Sequence, residues 1–84
     1  MLSTLYNLGM KEDIKSLLGL NIKAERVRKN FTQEEFAEKI DMSVSHISKI
    51  EQGITSPTAI ALFKMSKILN VSMEDFFRDI KYFV

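Results

Sequence analysis

The 84-residue chain has no cysteine and only one histidine, three glycines and one proline. Without cysteine it can form neither a disulfide framework nor a thiolate metal site. One histidine, no glycine-rich phosphate loop and no His-Glu cluster at ligand spacing leave nothing to hold a metal or a cofactor, and none is expected. Hydrophobic residues make up 45% of the chain. Even so, no unbroken apolar run approaches the roughly 20 residues that span a bilayer, and no basic segment followed by an apolar block opens the sequence. No membrane partner is expected, and the cytoplasm is the default compartment. A strong charge of either sign is also missing, since twelve basic and eleven acidic residues leave +1.

Paired carboxylates for acid-base work are absent as well. Glu34 and Glu35 are neighbours in sequence, so on a helix they point to different sides. Glu34 with Glu38 and Asp75 with Asp79 do share faces, but like charges one turn apart on an exposed helix are ordinarily just solvated. The chain reads as no enzyme. At this length it can bury roughly 60 to 65% of its unfolded surface, which is one core with little to spare. It shows no internal repeat, low-complexity tract or second domain.

The informative stretch is residues 33 to 52. Phe36, Ala37 and Ile40 share one face of a short helix, and Ile47 and Ile50 share one face of a second. Ala37 supplies the small side chain that two steeply crossing helices need at their contact. Asp41 ends the first helix, at a position that often calls for a left-handed backbone. Ser43 caps the second helix. Thr32 does the same for the first, with Glu35 three residues on completing a capping box. Two amphipathic helices joined by a tight turn make a helix-turn-helix.

From about Leu18 to Phe77 the chain resembles the Cro and phage-repressor type of helix-turn-helix regulator, the XRE family. The likeness is carried by Phe31 to Ile40, by Ser43 to Glu51 with Gly53, by Ser56-Pro57 and by Leu69 to Phe77, five elements in order. It implies an all-α, compact five-helix lambda-repressor-like domain that binds double-stranded DNA. It also places the helix Val44 to Gln52 in the major groove, with Val44, Ser45, His46 and Lys49 facing base edges. Lys49 can donate to guanine, Ser45 can donate or accept, Val44 can pack on a thymine methyl and His46 offers a donor. The competing reading of these four is the solvated face of a surface helix.

The same resemblance assigns Gln33 to a DNA phosphate at a helix N-terminus. Ser43, Gln52, Thr55, Ser56 and Thr58 are further phosphate candidates. Many relatives carry Lys or Arg after the glycine, whereas here the loop is Ile54-Thr55-Ser56, so attraction to the backbone should be weaker. Arg26 and Glu51 are expected to form a structural ion pair that fixes the angle between two helices. Between residues 18 and 56 six basic side chains face six acidic ones, so affinity is expected to rest on directed contacts and on dimerisation.

Elsewhere, residues 1 to 10 read as an N-terminal extension, either a short helix or a loose end, with Gly9 breaking its pattern. The first helix starts near Lys11 or Leu17 and runs to Lys29. Its apolar stripe is Ile14, Leu18 and Ile22, and Glu25 with Lys29 makes an i,i+4 pair. Gly53 terminates the recognition helix in a left-handed conformation. Ser56 and Pro57 open a fourth helix through Ala59, Leu62, Phe63, Met65 and Leu69, and Ser72 opens a fifth. The parts are thus residues 1–17, the extension and the start of the first helix; 18–77, the helix-turn-helix domain; and 78–84, an apolar tail. Phe77, Ile80, Tyr82 and Phe83 in or beside that tail suggest a homodimer contact, with core packing as the alternative. Two functions remain open: a dimeric sequence-specific repressor or autoregulator on an inverted repeat, or a protein-interaction module of antitoxin-like or accessory type. A regulatory protein partner fits either.

Overall fold

The computed structural model describes the backbone of residues 2–79 and the side chains of residues 14–79. The described residues form four α-helices and one 3₁₀ turn: α1 (Leu2–Arg28), α2 (Gln33–Ile40), α3 (Val44–Glu51), α4 (Ala59–Leu69) and the turn Met73–Phe77. They contain no strand. The expected fifth helix is therefore a single tight turn. The chain leaves the turn at Arg78, whose backbone is extended at φ −64 and ψ 147, and Asn21 Nδ2 fixes this end to α1 by donating to Phe76 O at 2.9 Å and to Arg78 O at 3.0 Å.

Punctuation is local and repeats along the chain. Thr32, Ser43, Thr58 and Ser72 are N-caps, each accepting from a backbone N–H three residues on. At the other ends Asn30, Asp41, Gly53 and Asn70 take positive φ. After each helix two backbone N–H groups fold back onto the last turn, as in Met42 N–H to Ala37 O and Ile54 N–H to Lys49 O, satisfying carbonyls that would otherwise be orphaned. Thr58, not Ser56, caps α4, so Ser56 and Pro57 lie in the approach to the helix. Gly9 does not interrupt α1, which passes through it unbroken.

The core consists of Leu18 and Ile22 from α1, Phe36, Ala37 and Ile40 from α2, Ile47 and Ile50 from α3, Leu62, Met65 and Leu69 from α4, and Phe76. Ile14, from the expected apolar stripe of α1, and Phe63 of α4 stand outside this core. Ile14 is partly exposed and Phe63 is 53% exposed, because α4 buries the face carrying Leu62, Met65, Ser66 and Leu69. α1 packs on α3 and on the 3₁₀ turn, and α2 packs on α3 and α4. Gly19 makes the first of these contacts possible, since a Cβ there would stand 2.4 Å from Ile50 O and 2.7 Å from Glu51 O.

Polar groups inside the fold tie α1 to the 3₁₀ turn and Arg78. Glu25 is 1% exposed and pairs with Arg78 at 2.8 Å and with Arg28 at 3.5 Å. The expected partner Lys29 is exposed and is not among them. Glu25 points inward toward the 3₁₀ turn, and this burial removes it from the outer face where an i,i+4 pair would form.

Candidate nucleic-acid interface

α2 and α3 are joined by Asp41, Met42 and Ser43, with Asp41 at φ 59. The turn is that short because Asp41 accepts the left-handed backbone at modest cost. α3 buries Ile47, Ile50 and Glu51. At 100° per residue the opposite ridge is Ser45 and Lys49, with Gln52 beside them and Val44 and His46 on its flanks. All five are exposed. Of the four residues expected to face base edges, Ser45 and Lys49 point most outward, His46 lies at the edge of the outer half, and Val44 stands nearer the buried face but is exposed at the start of the helix.

The last turn of α3 is anchored from behind. Glu51 is 5% and Arg26 7% exposed. Arg26 Nε donates to Glu51 Oε2 at 2.6 Å and Nη2 to Oε1 at 3.1 Å, a bidentate pair, while Nη1 donates to Phe31 O at 2.7 Å. Gln33 joins the same carboxylate, its Nε2 donating to Glu51 Oε1 at 2.9 Å. That contact was not anticipated. It leaves Gln33 half-buried, with its second amide hydrogen free to reach outward.

The other phosphate candidates fall into two groups. Ser43 and Thr58 are exposed caps whose hydroxyl oxygens accept from His46 N–H at 3.0 Å and Ala61 N–H at 3.1 Å. A capping hydroxyl uses its lone pair inward and keeps its hydrogen to donate outward. Gln52 is exposed and donates to the Ser48 hydroxyl at 2.8 Å. Thr55 is half-buried and Ser56 exposed, both in the loop after Gly53. Gln33, Ser43 and Thr58 thus lie at the starts of three helices, where free N–H groups and the helix dipole favour an anion.

Charge on this surface is sparse. Glu51 is neutralised by Arg26 behind the helix, so Lys49 is the one exposed charge on α3. Glu34 and Glu35 stand in the first turn of α2, where they suit the helix dipole but oppose a phosphate. Among the described residues no cluster of His, Cys, Asp and Glu could hold a metal ion, and no helix is long and apolar enough to cross a membrane.

This arrangement has many counterparts. A helix-turn-helix family model matches residues 22–76. The chain is 35% identical over 60 residues to y4dJ of Sinorhizobium fredii, an uncharacterized HTH-type transcriptional regulator, covering 71% of this chain and 78% of that one. It is 34% identical over 70 residues to the control protein C.MunI of a Mycoplasma species, covering 82% and 95%. The crystal structure of ClgR from C. glutamicum, a clp gene regulator, superposes with a TM-score of 0.72 at 25% identity, covering 76% of this chain and 83% of that one. The chain belongs to the Cro/C1-type helix-turn-helix family and is a DNA-binding transcriptional regulator.

Proposed function

We propose that this regulator is a repressor or autoregulator that binds an inverted repeat as a homodimer, with α3 in the major groove. The observation that carries the reading is the exposed ridge of Ser45 and Lys49 on a helix held at its far end by the Arg26–Glu51–Gln33 network. A helix braced in this way presents its side chains in one orientation, which base readout requires. Val44 and His46 flank the ridge as further base contacts, and Gln33, Ser43, Gln52, Thr55, Ser56 and Thr58 supply the phosphate contacts. With one exposed lysine on α3, non-specific attraction is weak, so affinity comes from directed hydrogen bonds doubled by dimerisation.

The dimer contact is assigned to Phe77 and the tail that follows. Phe77 is 42% exposed beside the fully buried Phe76; Ile80, Tyr82 and Phe83 lie outside the described residues. Such a dimer would set two recognition helices about 34 Å apart, one DNA turn. The protein would act in the cytoplasm, where its DNA target lies.

Selection of a random duplex library at physiological salt tests the reading. Enrichment of an inverted repeat with half-sites about ten base pairs apart is the expected result. Recovery of no motif would instead favour a protein-interaction module that keeps the fold without reading DNA.

A further inference from the structure

A second surface lies away from the ridge of α3. The C-terminal end of α2 and the outer face of α4 flank an open groove of about 230 Å³ lined by Ile40, Phe63 and Ile68, with Lys39, Lys64 and Lys67 around it and Asp41 as its one acid. This is below the roughly 300 Å³ at which small-molecule sites begin, and it suits an anchoring side chain from another protein. Ile60, one turn before Lys64, is 71% exposed, so the apolar stripe continues beyond the groove. Ile60, Phe63, Lys64 and Lys67 follow i, i+3, i+4, i+7 spacing and so share one exposed face of α4, half apolar and half cationic.

The charge around this stripe is one-sided. α4 carries lysines and no acid, and none of the ion pairs among the described residues uses Lys39, Lys64 or Lys67. Two of these lysines rest on aromatic faces instead, Lys67 Nζ lying 5.1 Å from the Phe63 ring centre and Lys39 Nζ 5.8 Å from that of Phe31. Along the helix axes Lys67 is about 13 Å beyond Thr58 and Lys39 about 9 Å beyond Gln33, so the rim is remote from the helix starts that face phosphate.

Complementarity decides the occupant. The chain's own segment Ile80-Lys81-Tyr82-Phe83-Val84 has a lysine and no acidic side chain, so it would add like charge. α2 of a second copy would bring Glu34 and Glu38 but no exposed large apolar residue to fill the groove. Phe77 of a second copy, flanked by Glu74 and Asp79, is assigned above to the homodimer contact, and a groove filled by it would respond to protein concentration.

We propose that this groove docks an acidic amphipathic segment of a partner protein. Its apolar anchor would sit against Ile40, Phe63 and Ile68, and its carboxylates would face Lys39, Lys64 and Lys67. The partner would then be held while α3 remains free for DNA, so the proposal stands or falls independently of the operator reading.

The test uses the isotope-labelled full chain and two synthetic helical peptides of about 14 residues, four turns each. The peptides share leucines at i, i+3, i+4 and i+7; one carries glutamates at its polar positions, the other lysines. The glutamate peptide should shift the backbone amide signals of Ile40, Phe63, Lys64, Lys67 and Ile68 saturably. It should bind at least about tenfold tighter than the lysine peptide, and Lys64→Gln with Lys67→Gln should remove most of that difference. Equal binding of the two peptides would overturn the proposal, as would no binding by about 1 mM. So would shifts confined to α3, or groove signals that move with protein concentration alone, which would make a second copy the occupant.

Discussion

Gln33 and Glu51, 18 residues apart in sequence, are joined by a hydrogen bond of 2.9 Å that links the start of α2 to the last turn of α3. The same carboxylate takes two donors from Arg26 on α1, so one side chain ties three helices together. Whatever holds Gln33 therefore also holds the recognition helix. A phosphate contact at Gln33 and the orientation of Ser45 and Lys49 become parts of one rigid unit.

Removing the carboxylate should be costly. Glu51→Ala leaves the Arg26 guanidinium buried and unpaired, a loss of about 3–5 kcal/mol. In a domain of this size that lowers the melting temperature by at least about 12 °C. Denaturant unfolding of Glu51→Ala beside Glu51→Gln measures it. The amide should recover part of the loss by retaining an acceptor for Arg26, and a loss below about 1 kcal/mol in Glu51→Ala would remove the network from the account of stability.

Lys49 and Gln33 should fail in different ways when altered. Lys49→Ala should lose about 1–3 kcal/mol of discrimination at one base pair per half-site and flatten preference there. Gln33→Ala should weaken binding about three- to tenfold on every sequence. It should leave the slope of affinity against salt unchanged, because a neutral amide releases no counterion. Fluorescence anisotropy on the selected operator and its single-base variants, at several salt concentrations, separates the two patterns. A Lys49→Ala protein that keeps full discrimination would place Lys49 on the solvated side.

The helix-turn-helix was legible because its signals are local. Thr32, Glu35, Ser43, Asp41 and Gly53 act within a few residues of themselves, and Phe36, Ala37, Ile40, Ile47 and Ile50 repeat at helical spacing. Where two local rules compete, the sequence alone does not choose: Ser56-Pro57 and Thr58 both satisfy helix-start chemistry, and the bond from Ala61 N–H to the Thr58 hydroxyl selects the second. Phe63 shares apolar character with its neighbours in α4, so only the packing of Leu62, Met65 and Leu69 shows it to be outside. Asn21 and Glu25 were not legible at all. Inside a helix they look like solvated polar residues, and apart from Arg28 beside Glu25 their partners lie 53 to 57 residues downstream, two of them backbone carbonyls. Gly19 gave a faint signal, since a mid-helix glycine disfavours the helix and so calls for a reason in packing.

Asn21 should govern the C-terminal part of the fold. Asn21→Ala deletes both hydrogen bonds that hold the 3₁₀ turn to α1, at a cost of about 2 kcal/mol, and leaves Arg78 with Glu25 as the nearby polar tie. Hydrogen exchange should show faster opening at residues 73–79 than in α2 and α3. Sedimentation supplies the functional readout: with Phe77 and the tail as the dimer contact, both Asn21→Ala and a chain lacking residues 79–84 should dissociate at higher concentration than the intact protein. A dimer that survives intact in the shortened chain would move the contact elsewhere.

Gly19→Ala reverses an ordinary rule. In an exposed helix interior, alanine for glycine is worth about 1 kcal/mol of added stability. Here the new methyl would stand 2.4 Å from Ile50 O and 2.7 Å from Glu51 O, both backbone atoms of the last turn of α3. Neither can swing aside, so α1 and α3 must part, and the expected outcome is a loss of about 1–3 kcal/mol or more. The separation falls at the Arg26–Glu51 pair, so DNA affinity should drop together with the denaturation midpoint even though residue 19 faces away from the ridge of Ser45 and Lys49. Gly53→Ala is the companion variant. There φ is +77° and a Cβ would meet Ser16 Cα at 2.9 Å, so backbone strain adds to the clash and it should be the more damaging of the two. A rise in the unfolding midpoint of Gly19→Ala would mean that α1 does not press on the end of the recognition helix, and with it would fall the brace on which the orientation of Lys49 depends.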